Sequence, residues 1–263
     1  MLSEQRQFEI TELICREGKA SISELAEHFD VSCETIRRDL ITISKGNRVR
    51  KVHGGAVAIR PHVQDDEYAV RQVQNAFNKQ KIGERAALLV NDNDVVGVDS
   101  GTCAEAFARS IYNVKNVTFI ARSLPVASIL AQKINAGDFS GKVLILSGTV
   151  NPENGTIVGM KTILQLGEYH ITKSFVGATA IADSGIMAGD EETALLSEML
   201  VRQSRSSYII AESAKMYQQS FYNVCDFDEI TAIITDDENP INFNLKKRIT
   251  ESGAEIITVP LKS

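Results

Sequence analysis

The sequence lacks tryptophan, and its apolar runs are short. Runs such as residues 143–146 are no longer than one strand, whereas a membrane span needs roughly 18 consecutive apolar residues. Residues 1–7 are too polar to begin a secretory signal. We therefore expect no membrane partner and a cytoplasmic location.

Cysteine and histidine are also scarce, with four residues of each. Cys15, Cys33, Cys103 and Cys225 are far apart, without a C-x-x-C pair or a histidine at zinc-ligand spacing, so the pattern predicts neither disulfides nor a metal site. We expect no cofactor. The composition, with 43% apolar and 24% charged residues, is typical of a globular protein. The length of 263 residues is enough for one large domain or two ordinary ones.

The net charge of −6 hides one basic segment. Residues 34–60 carry seven basic and two acidic side chains, while the residues on either side of this segment are acidic overall. A basic cluster in an acidic chain is expected where a small surface contacts phosphates, although a solvated basic face would have the same composition.

Three short helices are predicted at the start of the chain. Gly18 ends the first helix, Ser21 and Glu24 form a capping box for the second, and Ser32 is a natural N-cap for the third. The apolar positions that recur at helical spacing are Phe8, Ile10, Leu13 and Ile14, then Ile22, Leu25, Ala26 and Phe29, then Ile36, Leu40 and Ile43.

The second and third helices have the spacing of a helix-turn-helix, whose recognition helix lies in the DNA major groove. Residues 48–52 then predict one arm of a short hairpin, the wing of a winged helix. Asp39 is expected to orient an arginine rather than to contact a base. The predicted DNA-binding residues are Ser32, Glu34, Thr35, Arg37 and Arg38 on the helix, and Arg48, Arg50, Lys51 and His53 on the wing.

Residues 31–40, V-S-C-E-T-I-R-R-D-L, and 52–56, V-H-G-G-A, resemble the DNA-binding signature of DeoR-type bacterial transcriptional regulators. The resemblance is close over about residues 1–60 and looser over the rest of the chain. It implies a winged helix-turn-helix followed by a sensor domain related to ribose-5-phosphate isomerase and coenzyme A transferases, with a phosphorylated sugar as the usual inducer.

Residues 1–58 are predicted to form the DNA-binding domain, residues 59–66 a linker, and residues 67–263 an α/β effector-binding domain. Residues 67–90 predict two helices, or one bent near residues 78–81, that pack on this domain or on a partner subunit. Beyond them, Val- and Ile-rich runs alternate with helical ones, which indicates a mainly parallel sheet covered on both faces. The predicted strands are residues 95–98, 117–121, 143–146, 174–176, 208–210, 230–234 and 255–259, and the predicted helices are residues 104–112, 125–134, 191–204 and 241–252.

Ligands gather at the carboxyl ends of parallel strands, and polar residues follow four of the predicted strands. Backbone N–H groups, hydroxyls and two cations there suit a polyhydroxylated anion. The residues concerned are Asp99, Ser100, Gly101 and Thr102, then Arg122 and Ser123, then Gly148, and lastly Lys215.

The family resemblance implies an effector role for the same segments, with Asp99 to Thr102 as the phosphate loop, and it adds Gly177 and Asp190. Arg122 stands where many members have a neutral residue. It either binds a second acidic group of the effector or forms an ion pair with Asp99 or Glu212.

Two functions follow. The first is a regulator, expected to repress a sugar-utilisation operon, that binds an operator in double-stranded DNA as a homodimer or homotetramer and responds to a small phosphorylated sugar. The alternative is a sugar-phosphate isomerase or transferase with an appended DNA module. The candidate bases are Asp99, Asp190, Glu191 and Glu212, but no nucleophile–histidine pair accompanies them, so we expect no enzyme activity.

Overall fold

Three helices and a small sheet form the amino-terminal part of the computed structural model, which describes residues 3–44, 49–52, 54–58 and 67–261. The chain divides into two compact units, Met1–Pro61 and His62–Ser263. The predicted linker at residues 59–66 lies outside the described residues, so its bounds stay a prediction.

The amino-terminal unit is a winged helix. Its elements are α1 (Ser3–Glu17), β1 (Lys19–Ser21), α2 (Ile22–Phe29), α3 (Cys33–Ile43), β2 (Val49–Val52) and β3 (Gly55–Ala58). Ser21 and Glu24 form the expected capping box on α2, and Ser32 caps α3. The buried core includes Ile10, Ile14, Leu25, Ile36, Leu40 and Val49. Phe8, which we placed in the apolar stripe of α1, is 64% exposed, so that assignment was wrong.

The antiparallel sheet of this unit has the order β1-β3-β2. β1 was not predicted, because three residues are too few for an alternating pattern. Ala20 pairs with Ala56 and Ser21 with Gly55. A Cβ atom on Gly55 would lie 2.3 Å from the carbonyl oxygen of Ala20, so glycine allows the third strand to approach so closely.

The second unit is an α/β domain, which confirms the predicted fold class. Seven parallel strands form one sheet in the order β15-β14-β12-β9-β4-β5-β6. These strands are β4 (Val95–Val98), β5 (Val117–Ala121), β6 (Gly141–Ile145), β9 (Ile171–Val176), β12 (Ser204–Ile210), β14 (Ala232–Asp236) and β15 (Glu255–Val259). The helices are α4 (Tyr68–Val73), α5 (Ala76–Ala87), α6 (Thr102–Ser110), α7 (Leu124–Ala136), α8 (Met160–Leu166), α9 (Glu191–Arg202) and α10 (Phe243–Glu251).

Within the described residues of this unit, five shorter strands lie outside the large sheet. β7 (Thr149–Val150) and β8 (Ile157–Val158) form a hairpin, while β10 (Ala180–Ala182), β11 (Gly185–Ala188) and β13 (Tyr222–Cys225) form a small antiparallel sheet.

Two apolar clusters cover the two faces of the large sheet. One joins the strands to α5, α6 and α7 through residues such as Ile82, Phe107 and Leu130. The other joins them to α9 and α10 through residues such as Leu200 and Leu245. The first helical segment breaks at Gln74 and Asn75 rather than at residues 78–81, because Asn75 adopts a left-handed conformation with φ 49°. Its second helix packs within this unit, against α6.

The strand order reverses between β4 and β9. From β4 the chain continues to β5 and β6 on one side, whereas from β9 it continues to β12, β14 and β15 on the other. The loops after two such strands diverge and leave a crevice at their carboxyl ends, where open parallel sheets bind ligands. Within the described residues, no helix is long and apolar enough to cross a membrane.

Candidate functional sites

The first candidate site is the amino-terminal part of α3. Ser32 Oγ accepts the backbone N–H of Thr35 at 3.1 Å, which starts the helix. Ile36 and Leu40 point into the core, and Arg37 and Arg38 project into solvent from the opposite side. This is the geometry that a recognition helix needs.

Glu34 contacts both arginines. Its carboxylate lies 3.3 Å from Arg37 Nη1 and 3.6 Å from Arg38 Nε, and all three side chains are more than half exposed. Because exposed ion pairs contribute only about 0–1 kcal/mol, DNA phosphates or base edges can displace Glu34 at small cost.

Asp39 lies on the inner face of α3 and does not reach the exposed surface. Arg6 Nε of α1 donates to its Oδ2 at 2.7 Å, and Gln7 Nε2 donates to its Oδ1 at 2.8 Å. The hydrogen bond to Asp39 raises the pKa of Arg6. Asp39 therefore orients an arginine, as expected, and this arginine belongs to the first helix.

Of the four predicted wing residues, Arg50 and Lys51 are exposed on β2. Arg48 and His53 lie outside the described residues. The cations of α3 and β2 that the structure describes are thus exposed, as contact with phosphates requires.

The second candidate site is a cavity of about 580 Å³ in the carboxyl-terminal unit. It opens at the reversal point of the sheet, between the loops that follow β4 and β9. Seven of the ten predicted effector residues line it, namely Asp99, Ser100, Gly101, Thr102, Gly177, Asp190 and Lys215.

The amino terminus of α6 opens onto the cavity. Gly101 is its N-cap, with φ 98°, and among the described residues no side chain caps it. Thr102 and Cys103 of its first turn also line the cavity. Unbonded N–H groups and about half a positive charge make such a terminus suited to an anion.

The carboxylate of Asp99 ties this loop to its neighbours. Oδ1 accepts from the Ser100 N–H at 2.8 Å and from Arg122 Nε at 2.5 Å. Oδ2 accepts from the Gly177 N–H at 3.2 Å and from Ser197 Oγ at 2.9 Å. Asp99 is therefore a positioning group that fixes the ends of β4, β5 and β9, and not a free base.

Three predicted rim residues do not line the cavity, and their assignment is corrected. Arg122 has a fully buried side chain that is paired with Asp99, so the ion-pair alternative is the one the structure contains. Ser123 is buried and caps α7 by accepting from the Val126 N–H at 3.4 Å. Gly148 packs under α8, where an added Cβ atom would lie 2.2 Å from Thr162 Oγ1.

Sequence reasoning missed the part of the cavity wall that α4 and α5 supply. Glu67, Tyr68, Arg71, Gln74 and Lys79 line the cavity. Lys79 is 4% exposed and lies 3.5 Å from Glu212 Oε2. A buried lysine inside a helical pattern resembles an ordinary surface lysine, so the sequence carries no signal for it.

Two ionisable groups of the cavity stay protonated at neutral pH. Burial, followed by the charge of Glu212, raises the pKa of the Cys103 thiol to about 12. Burial, followed by the hydrogen bond that Tyr68 donates to Glu105, raises the pKa of Tyr68 to about 12. Two further candidate bases are also engaged, since Asp190 accepts from the Thr193 N–H at 2.8 Å and Glu212 pairs with Lys79. The fourth, Glu191, is exposed and does not line the cavity.

Two family models match this chain. Residues 6–62 match the DeoR-like helix-turn-helix domain, and residues 74–237 match the DeoR C terminal sensor domain. The HTH-type transcriptional repressor GlcR of Bacillus subtilis is 28% identical over 90% of this chain and 89% of its own length. The lactose phosphotransferase system repressor of Streptococcus mutans is 27% identical over 95% of this chain and 99% of its own length.

The glycerol-3-phosphate regulon repressor of Escherichia coli is 26% identical over 92% of this chain and 94% of its own length. A solved ribose 5-phosphate isomerase A from Methanocaldococcus jannaschii is similar with a TM-score of 0.37 and 18% identity, covering 52% of this chain and 53% of that one. So low a score supports no inference. The named relatives are repressors, which supports a regulator and gives no support to the enzyme alternative. The chain belongs to the DeoR family of DNA-binding transcriptional regulators.

Proposed function

We propose that this regulator represses a sugar-utilisation operon in the cytoplasm, and that a phosphorylated sugar in the cavity changes its affinity for the operator. In this proposal α3 and the β2–β3 hairpin contact double-stranded DNA. The names of relatives, a glycerol-3-phosphate regulon repressor and a lactose phosphotransferase system repressor, support an effector of this class.

The observation that carries the proposal is the α6 terminus opening onto a polar cavity. Its N–H groups suit a phosphate group. Lys215 and Arg71 supply cationic side chains, and Ser100, Thr102 and Thr179 supply hydroxyls for a sugar. An apolar ligand would displace water from these polar groups without offering them hydrogen bonds, and it would therefore bind weakly.

Regulation requires that the effector bind the DNA-competent and DNA-incompetent states with different affinity. By linkage, the factor by which the effector weakens operator binding equals the factor by which the operator weakens effector binding. Both affinities can be measured on the full chain.

The test is a thermal-shift screen of glucose 6-phosphate, fructose 6-phosphate and glycerol 3-phosphate against the unphosphorylated compounds. We expect a rise in Tm for one or more phosphorylated compounds, because a ligand that binds only the folded state stabilises it. Fluorescence anisotropy with an operator selected in vitro then measures the change in DNA affinity.

Lys215→Ala should weaken the effector response and leave operator binding unchanged. Lys142→Ala is the matched control, since Lys142 is exposed on the edge strand β6 and does not line the cavity. Loss of operator binding in Lys215→Ala would indicate misfolding, and an unchanged effector response would contradict the proposed site.

A further inference from the structure

We propose that β6 and the surface beside it are where two copies of this chain associate. Two β6 strands, related by a two-fold axis, pair antiparallel and join two seven-stranded sheets into one. The inference goes beyond the proposed function, because it depends neither on the effector nor on the cavity.

The backbone of β6 has one free edge. β6 is the last strand of the large sheet, and among the described strands only β5 pairs with it. The N–H of Leu146 and the carbonyl of Ser140 both bond to β5. Because the backbone groups of successive residues alternate between the two edges of a strand, those of Gly141, Val143 and Ile145 point away from β5. Such a row of unpaired groups is a template for another strand.

A two-fold axis at Val143 makes this edge complementary to itself. In an antiparallel pair, residues that lie opposite each other exchange both backbone hydrogen bonds at every second position. Val143 then lies opposite Val143 of the partner subunit, and Gly141 lies opposite Ile145 of the partner subunit. Each outward N–H of β6 therefore meets an outward carbonyl, as an interface between identical surfaces requires.

The edge at the other end of the sheet does not offer this complementarity. In β15 the N–H of Glu255 donates to the Thr231 carbonyl beside β14, so the outward backbone groups belong to residues 256, 258 and 260. Pro260 has no N–H to donate. Proline is a common device that keeps an exposed edge from pairing, and β6 contains none. β6 is therefore the edge that is open to a second copy.

Exposed apolar side chains lie beside this edge. Ile145 is exposed at the end of β6, and Met160 and Leu164 of α8 are 68% and 64% exposed. α8 lies close to the end of β6, since Thr162 Oγ1 donates to the Ser147 carbonyl at 2.9 Å. Large apolar groups next to an open strand edge are typical of an interaction surface.

The surface is large enough for a stable dimer. Of the 27 residues from Gly141 to Gly167, five are buried and the other 22 are at least partly exposed. A standard interface takes about 20–30 residues from each partner. A second copy of the chain fits this size, whereas a short peptide strand would cover β6 alone. Two copies are also what a winged helix needs in order to bind two half-sites of an operator.

Disulfide cross-linking of the full chain tests the pairing, in a Cys33→Ser background because Cys33 is exposed. In the proposed pair the Cα atoms of the two Val143 residues are about 5.5 Å apart, within the range of a disulfide. Val143→Cys should therefore give a covalent dimer on mild oxidation, detected on a non-reducing gel. Lys142→Cys is the matched control, because the two Lys142 residues lie diagonally, about 7–8 Å apart, and should not be bridged.

Charged substitutions test the surface beside the strand. Met160→Asp combined with Leu164→Asp should raise the dissociation constant of the dimer at least about tenfold, because association would bury unpaired charges. Sedimentation at several protein concentrations measures this constant. Val73→Asp and Phe243→Asp are the matched controls, since these apolar side chains are 77% and 76% exposed outside the proposed surface. Both controls should associate like the wild type.

The outcomes distinguish this inference from the proposed function. It is overturned if the wild-type chain sediments as a monomer, or if Val143→Cys cross-links no faster than Lys142→Cys. Loss of association in Val73→Asp or Phe243→Asp would place the interface elsewhere and would also overturn it, as would full association of the folded α8 double variant. If that variant does not fold, cross-linking decides. A screen in which no phosphorylated compound raises Tm counts against the proposed function and leaves the pairing of β6 unaffected.

Discussion

In each of the two units one carboxylate pairs with arginine, but one pair is loose and exposed and the other is close and buried. Glu34 contacts two exposed arginines loosely, at 3.3 and 3.6 Å. Asp99 holds Arg122 tightly, at 2.5 Å in a buried site. Only the first kind of pair leaves the guanidinium groups available to an outside partner. Arg37 and Arg38 therefore stay predicted DNA contacts, whereas Arg122 is held inside the domain by Asp99.

Replacing Arg37 or Arg38 by alanine should weaken operator binding by about 1–3 kcal/mol if the side chain contacts a base edge. Anisotropy titrations at several salt concentrations measure this loss. Arg202→Ala is the control, because Arg202 forms an exposed ion pair with Glu198 on α9, in the other unit. Unchanged affinity in both arginine variants would contradict the docking of α3 in the groove.

Replacing Asp39 by alanine should destabilise the DNA-binding unit by about 2–3 kcal/mol, because it leaves the mostly buried Arg6 guanidinium without its charged partner. The loss of stability is measured by urea unfolding and, separately, by the hydrogen exchange of α1 in the native protein. The double variant Arg6→Met with Asp39→Ala should recover part of it. A single variant as stable as the wild type would show that this pair does not hold α1 to α3.

Helices that begin at a capping residue were predictable from the sequence, and a short helix without one was not. Ser21, Glu24 and Ser32 mark α2 and α3 because a short polar side chain bonds locally to the helix amides. α8 was missed, because nothing in residues 160–166 distinguishes a seven-residue helix from a loop. We predicted the break between α4 and α5 near residues 78–81, after its true position at Asn75. The spacing of apolar residues does not reveal that an asparagine adopts the left-handed conformation.

Among the residues that line the cavity, those that directly follow a strand were predictable from the sequence. Gly101 and Lys215 come after apolar runs, so the rule for parallel sheets identifies them. Lys79 and Tyr68 come from helices whose position over the cavity depends on tertiary packing. Arg122 also follows a strand, but its direction depends on the buried partner Asp99, and the sequence leaves that choice open.

α5 and α6 touch at Gly83, and both helices supply residues that line the cavity. A Cβ atom there would lie 2.5 Å from the carbonyl carbon of Ala106. Gly83→Ala should therefore destabilise the sensor domain by about 1–3 kcal/mol and weaken the binding of a ligand in the cavity. The measurements are calorimetric Tm and ligand titration.

Gly167→Ala is the matched control for this variant. Gly167 has φ −63°, and the nearest atom to an added Cβ, the Leu164 carbonyl oxygen, is 3.4 Å away. It should be as stable as the wild type, or slightly more stable, because alanine restricts the unfolded chain. Equal stability of the Gly83→Ala and wild-type proteins would show that the two helices can separate without loss.

At the scale of the whole molecule, a single DNA-binding unit gives little sequence specificity. A single α3 presents only a few side chains to the groove, so two symmetric copies are needed for a specific operator. We expect sedimentation to show a homodimer or homotetramer. Selected operators should contain inverted half-sites about 10 base pairs apart or a multiple of that spacing. A monomer that binds a single half-site with full specificity would contradict this expectation.

Ribosomes make the chain from its amino terminus, so the unit that carries α3 emerges before the seven-stranded sheet exists. The cavity joins residues from Glu67 to Gln218, so most of the second unit must be synthesised before it can form. At roughly 5–20 residues per second, the remaining 202 residues take about 10–40 s. During that interval a nascent chain that has folded its first unit would present α3 before the cavity exists.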